Sequence, residues 1–320
     1  AKRRVHDYSA LCWSEAVSLP VPTACRHEAT NRQRPKRRLI QKHHAASLRP
    51  LSDVTPMNHT GRQTSAISLD DAKLQLADDG FALLVGMCET GLVTRLLEVS
   101  MERSRAVTQA LGTKTIGIGS AAGFQEIVQR SPGRWDIPVS PTEFGVEHQS
   151  LPWWPLIADT LGTDAEHAFS GVVYSDPGSP AQFWHIDSPH VTAEHQQPHA
   201  LNVMVALHDI ALAMGPTELA SGLHRLTNHL HNPALVSDEL VYQHETTRPE
   251  LLVAHTLGKV PERMSFPLTA GSCLLFDDRI LHRGLGNDST SRRSVAYFSY
   301  RKADYCENTH FESQRSIYPT

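Results

Sequence analysis

The 320-residue sequence has no apolar run near the roughly 18 to 20 residues needed to cross a bilayer, which argues against membrane insertion. Its five cysteines (Cys12, Cys25, Cys88, Cys273 and Cys306) are odd in number, scattered, and never form a C-x-x-C pair. They argue against a disulfide framework and a thiolate zinc site, and suit a reducing, intracellular compartment, cytoplasmic or organellar. Internal repeats and low-complexity tracts are absent. Acids are scarce at one end only: residues 1–65 carry twelve Lys and Arg against four Asp and Glu, a charge of about +8. With a net charge of −4, the remaining chain stands near −12, a poor balance for binding nucleic acid.

The composition that is present, 40% hydrophobic and 20% charged, is that of a globular protein. We read two regions. Residues 1–65 form a basic extension around "NRQRPKRRLIQKHH"; a transit peptide, an electrostatic tether and a disordered, non-native extension all fit it. Residues 66–320 form the folded domain. It opens at "SAISLDDAKLQLADDGFALLVGM", where Ser68 caps a helix with Asp70 and Asp71 in its first turn, Gly80 ends that helix, and "FALLVG" is a short buried strand. "TGLVTRLLEVSMERSRAVTQAL" then has helical spacing. Beyond about residue 165 the period changes to two. "AFSGVVYSD", "AQFWHID", "ALNVMVALHDI", "SCLLFDD" and "SVAYFSY" are short, rich in Val, Phe and Tyr, and bounded by turn residues. The pattern predicts a mainly β protein with flanking helices, a sandwich or jelly roll rather than a parallel sheet. The long stretch 225–260 interrupts it as a lid or insertion.

The chemistry centres on "QFWHIDSPH". Chance alone places roughly two His-x-acid pairs in a chain of this composition, and two occur, His185/Asp187 and His310/Glu312, so spacing by itself decides nothing. The second pair lies in a polar tail with no third ligand in view. On a strand, however, His185 and Asp187 share a face, and "FDDRILHRG" offers His282 as a third ligand. Two His and one carboxylate make the facial set of non-haem Fe(II) oxygenases, with positions left for a keto acid and dioxygen. The keto acid's far carboxylate needs a cation. "STSRRSVAYFSY" supplies Arg292, favoured over its neighbour Arg293 because Ser294 shares its face.

With these residues in place, "QFWHIDSPH", "ALNVMVALHDI", "GPTELASGLHR" and "TAGSCLLFDDRILHRGLGNDSTSRRSVAYF" resemble, in order and spacing, the phytanoyl-CoA dioxygenase (PhyH-like) family of Fe(II)/2-oxoglutarate oxygenases. The resemblance covers roughly residues 66–302. It implies a double-stranded β-helix (cupin-like), iron on His185, Asp187 and His282, and 2-oxoglutarate held by Arg292 with Thr217, Gln182 and Asn202 as hydrogen-bond partners. The co-substrates are 2-oxoglutarate and O2. Two positions depart from relatives: Met204 stands where many have Trp, and Gly284 where some have a co-substrate-binding Ser. Halogenating relatives carry a small residue where this chain has Asp187, so hydroxylation of a small organic substrate is the expected outcome, with succinate and CO2 as by-products.

Other readings fit the same residues. A cupin-like metalloenzyme that uses no keto acid would leave Arg292 and Thr217 unexplained, and a silent ligand-binding member would keep the ligands without turnover. His190, His195 and His199 are spaced like a zinc cluster but read as loop histidines, with His190 a candidate for the substrate entrance. "GFQEIVQRSPGRWDIPV" offers Gln129, Arg130, Arg134 and Trp135, either to hold a polar substrate or to build a loop over the barrel mouth. Substrate identity and oligomeric state are not legible.

Overall fold

Ser68 accepts a hydrogen bond from the Asp71 backbone N–H (3.1 Å), and Gly80, at φ 82°, turns its own N–H back onto Leu76. These caps bound helix α1 (Leu69–Asp79) as the sequence predicts. The structure, a computed structural model, describes residues 67–232, 235, 262–305 and 315–318. The basic extension, most of the 225–260 stretch and His310/Glu312 lie outside the described residues.

From α1 the chain runs through β1 (Phe81–Leu84), α2 (Thr90–Leu111), β2 (Val128–Ser131), β3 (Arg134–Pro138) and the short helices α3 (Pro141–Phe144) and α4 (Trp154–Leu161). There follow β4 (Glu166–Ser175), β5 (Ala200–Ala206), β6 (Thr217–Ala220), β7 (Arg263–Ser265), β8 (Cys273–Asp277), β9 (His282–Gly284) and β10 (Arg293–Arg301). One antiparallel sheet has seven strands in the order β1-β8-β5-β10-β4-β3-β2, and a second has three, β7-β6-β9. The two sheets pack face to face as a double-stranded β-helix.

Strand alternation sorts the side chains into two layers. On the outer face of the large sheet, Val203, Leu275, Ala296, Phe298 and Tyr300 pack against Leu76, Leu96, Leu156 and Ile157 of the helices. Trp153, fully buried, donates from Nε1 to the Tyr300 hydroxyl (3.0 Å) and lies 5.2 Å from the Phe298 ring. On the inner face, Leu274 and Phe276 meet Leu219 of the small sheet. The polar residues of the inner face line the space between the sheets.

One expected strand is shorter than its alternation suggests. "AQFWHID" forms a single antiparallel bridge, His185 opposite His282. The reason lies in the next residues: the N–H groups of Asp187 and Ser188 both turn to the Asp278 carbonyl (2.7 and 3.2 Å), so the chain leaves the sheet after one pair.

Candidate metal centre

The bridge positions the first two ligands. His185 N donates to His282 O (3.0 Å) and His282 N to His185 O (2.9 Å), so the residues are directly opposite and their rings lie on one face, 4.4 Å apart. The ring nitrogens divide in the same way in both. Nδ1 of His185 faces the Phe183 carbonyl (2.9 Å) and Nδ1 of His282 faces the Ile280 carbonyl (3.0 Å). A carbonyl only accepts, so each Nδ1 carries a hydrogen and each Nε2 is the nitrogen left to face a metal. Burial, then the neighbouring His282, lowers the His185 pKa to about 4, which keeps that ring neutral at physiological pH.

Asp187 closes the set. Its Oδ1 lies 3.8 Å from His185 Nε2 and its Oδ2 3.7 Å from His282 Nε2. The three ligand atoms all fall within 4.8 Å of one another, and no other trio of such donors does so among the described residues. Two imidazoles and a carboxylate fit an iron(II) ion.

A second feature lies on the inner face. Arg134 of β3 and Arg293 of β10 both pair with Ser175 of the strand between them, so the two arginines stand in one row. Both are buried. Arg134 donates to Gln182 Oε1 (2.8 Å) and Leu285 O (2.9 Å); Arg293 donates to the Gly215 carbonyl and to Ser175 Oγ (3.1 Å). Among the described residues, Nε of each has no partner and neither has a carboxylate beside it. Burial lowers the Arg134 pKa to about 10; burial together with Arg134 lowers Arg293 to about 9. Two adjacent buried cations without a counter-charge are an anion site in their chemistry.

The family model described as phytanoyl-CoA dioxygenase (PhyH) matches residues 79–295. The chain belongs to the PhyH family. Among solved structures it is similar to AviO1 from Streptomyces viridochromogenes Tue57, with 18% identity, TM-score 0.51, and cover of 76% of this chain and 99% of that one. It is also similar to SnoN, a non-heme alpha-ketoglutarate-dependent epimerase from nogalamycin biosynthesis, with 19% identity, TM-score 0.50, and cover of 73% and 81%. At these identities the likeness is one of fold. Membership of the PhyH family and the His–Asp–His set make the chain an iron- and 2-oxoglutarate-dependent enzyme in type.

Within this PhyH-family site the remaining expected residues take varied places. Arg292 does not face the metal. It is half exposed, donates to Asp176 Oδ1 (2.6 Å) and lies over the Tyr174 ring at 5.2 Å. Arg292 and Ser294 do share a side of β10, but it is the outer one, where Ser294 pairs with Tyr174; Arg293 points inward. Gln182 is at the site, with its Oε1 accepting from Arg134 Nη1 and from Gly284 N (3.0 Å). Thr217 sits against the Met204 sulfur (3.3 Å) at the start of β6. Asn202 reaches the centre by another route than expected: its Nδ2 donates to Asp187 Oδ2 (2.7 Å).

Of the 123–139 segment, only Arg134 joins the buried cation row. Arg130 is clasped by Asp136 (2.8 and 2.5 Å), which also accepts from the Tyr297 hydroxyl (2.8 Å), and Trp135 donates to Asp176 (2.8 Å) beside Arg292. His190 is buried against Thr227 (3.1 Å) rather than lining an entrance, and His199 bonds Ser188 (2.7 Å). No helix among the described residues is long and apolar enough to cross a membrane.

Proposed function

We propose that this PhyH-family chain is a dioxygenase that hydroxylates a small organic substrate, consuming 2-oxoglutarate and O2 and releasing succinate and CO2. His185 and His282, through Nε2, and Asp187, through its carboxylate, would hold Fe(II). Arg293 and Arg134 together would take the far carboxylate of 2-oxoglutarate, with Ser175 between them. The single observation that carries the reading is that pair of buried guanidinium groups, with no acid beside them among the described residues, set in the same inter-sheet space as three converging metal donors. A metalloenzyme with no keto acid gives no account of it, because two uncompensated buried cations are costly unless a ligand neutralises them.

Iron, keto acid and dioxygen, when bound, supply the oxidising power that breaks a substrate C–H bond. The chain's own part is positioning. The carbonyls of Phe183 and Ile280 hold the imidazole tautomers, and burial keeps His185 unprotonated and ready to bind metal. Asp187 supplies a carboxylate where halogenating relatives have a small residue, which favours hydroxylation. Acyl-CoAs, amino-acid derivatives and secondary metabolites are the substrate classes to screen.

The test has two stages. Anaerobic Fe(II) plus 2-oxoglutarate should give the purified chain a weak visible charge-transfer band that His185→Ala abolishes. Metabolite extracts should then contain a compound that stimulates succinate release. A wild-type chain that shows no band at saturating iron and 2-oxoglutarate would overturn the reading.

A further inference from the structure

Asn202 and Ser299 face each other across β5 and β10, directly paired in the sheet, with both side chains directed to the inner face. Ser299 Oγ donates to Asn202 Oδ1, and Asn202 Nδ2 donates to Asp187 Oδ2 (2.7 Å). The three residues therefore form a chain of two hydrogen bonds that ends on the carboxylate of the metal-ligand set.

The chemistry of the amide makes this arrangement directional. The two ends of an Asn side chain have nearly the same shape, and only the neighbours decide which end is the donor. Asp187 can only accept, so it demands the NH2 end, and the Ser299 hydroxyl donates to the oxygen end. A flipped amide would set oxygen against carboxylate. Asp187 needs such a restraint more than its partners do. Its side chain is 37% exposed, against 9% for His185 and 5% for His282, and it lies on the chain just after it leaves the sheet. One hydrogen bond on Oδ2 fixes the rotation of the carboxylate and leaves Oδ1, on the His185 side, without that bond.

Asn202 is also badly placed to serve the co-substrate's far carboxylate. Along β10, Ser299 stands six residues from Arg293, roughly 20 Å of strand. Asn202, opposite Ser299, is thus at the other end of the cavity from the cation row.

We infer that Ser299 and Asn202 are positioning residues for iron binding, which lock Asp187 in its ligating orientation, and that Asn202 is not a ligand of 2-oxoglutarate. The inference rests on the metal site proposed above. Partners in this outer shell of a metal site are typically worth about ten- to hundredfold in metal affinity.

Co(II) titration of the metal-stripped full-length chain, followed by its visible absorption, reads the effect without any turnover. Asn202→Leu should weaken Co(II) about ten- to hundredfold, while 2-oxoglutarate binding at saturating Co(II) changes less than about threefold. Ser299→Ala should shift Co(II) affinity in the same direction by a smaller factor, and Ser299→Thr, which keeps the hydroxyl, should restore it. Wild-type Co(II) affinity in Asn202→Leu with weakened 2-oxoglutarate binding would overturn the inference and return Asn202 to the co-substrate. If Asn202→Leu does not fold, the serine pair decides: equal affinities in Ser299→Ala and Ser299→Thr overturn it. His185→Ala is the separate control, since full Co(II) affinity in that variant removes the metal site itself and not merely its support.

Discussion

Arg134 and Arg293 stand on either side of Ser175, on three adjacent strands and in one register row, and no carboxylate accompanies them among the described residues. Their burial side by side depresses both pKa values, to about 10 and about 9, yet leaves both groups charged at neutral pH.

The pair separates two neighbouring arginines experimentally. Arg293→Ala should raise the KM for 2-oxoglutarate about a hundredfold, the equivalent of about 2–3 kcal/mol for a lost charge-assisted contact, with metal affinity little changed. Arg292→Ala should leave that KM within about twofold, because its exposed pair with Asp176 lies outside the cavity. Steady-state succinate release at varied 2-oxoglutarate checks both, and equal effects would refute the assignment.

Gly284 leaves the space that Arg134 occupies. A Cβ built there would overlap the Arg134 guanidinium and come within 2.8 Å of Gln182 Oε1. Gly284→Ala should therefore displace Arg134, raise the KM for 2-oxoglutarate about tenfold, and cost about 1–3 kcal/mol of stability through overpacking. In an Arg134→Ala background the same substitution should add less, since the overlap with the guanidinium is gone and only the 2.8 Å approach to Gln182 Oε1 remains. A double-mutant cycle that shows simple additivity would count against this account.

Beside the ligand turn lies a buried ion pair. Arg279 donates from Nε and Nη2 to the two carboxylate oxygens of Asp277 (2.8 and 2.5 Å), with 2% and 0% of the side chains exposed, and also reaches the Gln196 carbonyl (3.2 Å). Asp277→Asn would remove the carboxylate that clasps the buried guanidinium and leave only Asp278 near it, at a cost of about 3–5 kcal/mol. Chemical denaturation should show that loss in the metal-free chain. Replacing both partners by apolar residues should cost less than replacing Asp277 alone.

Acid should destabilise the protein in a defined window. Burial lowers the pKa of His190 to about 3 and of His199 and His224 to about 4. In the unfolded chain each takes up a proton near 6.5. Between about pH 6.5 and 4 the unfolded state thus binds more protons, and stability falls as pH falls; above 6.5 the contribution is fully present. Each histidine adds a slope of about 1.4 kcal/mol per pH unit in that window. Urea midpoints at pH 7, 6 and 5 should decline progressively, and His224→Leu should flatten the decline. A midpoint that does not move between pH 7 and 5 would contradict these burials.

Much of the architecture is legible from local pattern. The Ser68 and Gly80 caps and the strands β4, β5, β8 and β10 follow from residue type and period two, because such signals need no distant partner. His185, Asp187 and His282, whose donor atoms converge, stand out from strand alternation and motif order. What escaped depends on contacts far along the chain. Period two says which residues share a face, not which face is inward, and so it cannot choose between Arg292 and Arg293. A signal was present: Ala296, Phe298 and Tyr300 form the more apolar set, which marks the even-numbered side as the one against the helices. In the sequence nothing separates Arg134 from Gln129, Arg130 and Trp135, since its place beside Arg293 exists through pairing with Ser175. For Asn202 the resemblance implies a contact with 2-oxoglutarate, whereas its partner in the structure, Asp187, comes from a turn whose path is set by the Asp278 carbonyl.

Strand β10 serves the cavity with Arg293, Tyr297 and Ser299 and the helical layer with Ala296, Phe298 and Tyr300. Inserting or deleting a single residue within it would exchange the two sets, sending a guanidinium into oil and a phenyl ring toward the iron ligands. This segment therefore takes a change of letter more readily than a change of length, unless a bulge like the one beside Ser299 and Tyr300 absorbs the extra residue.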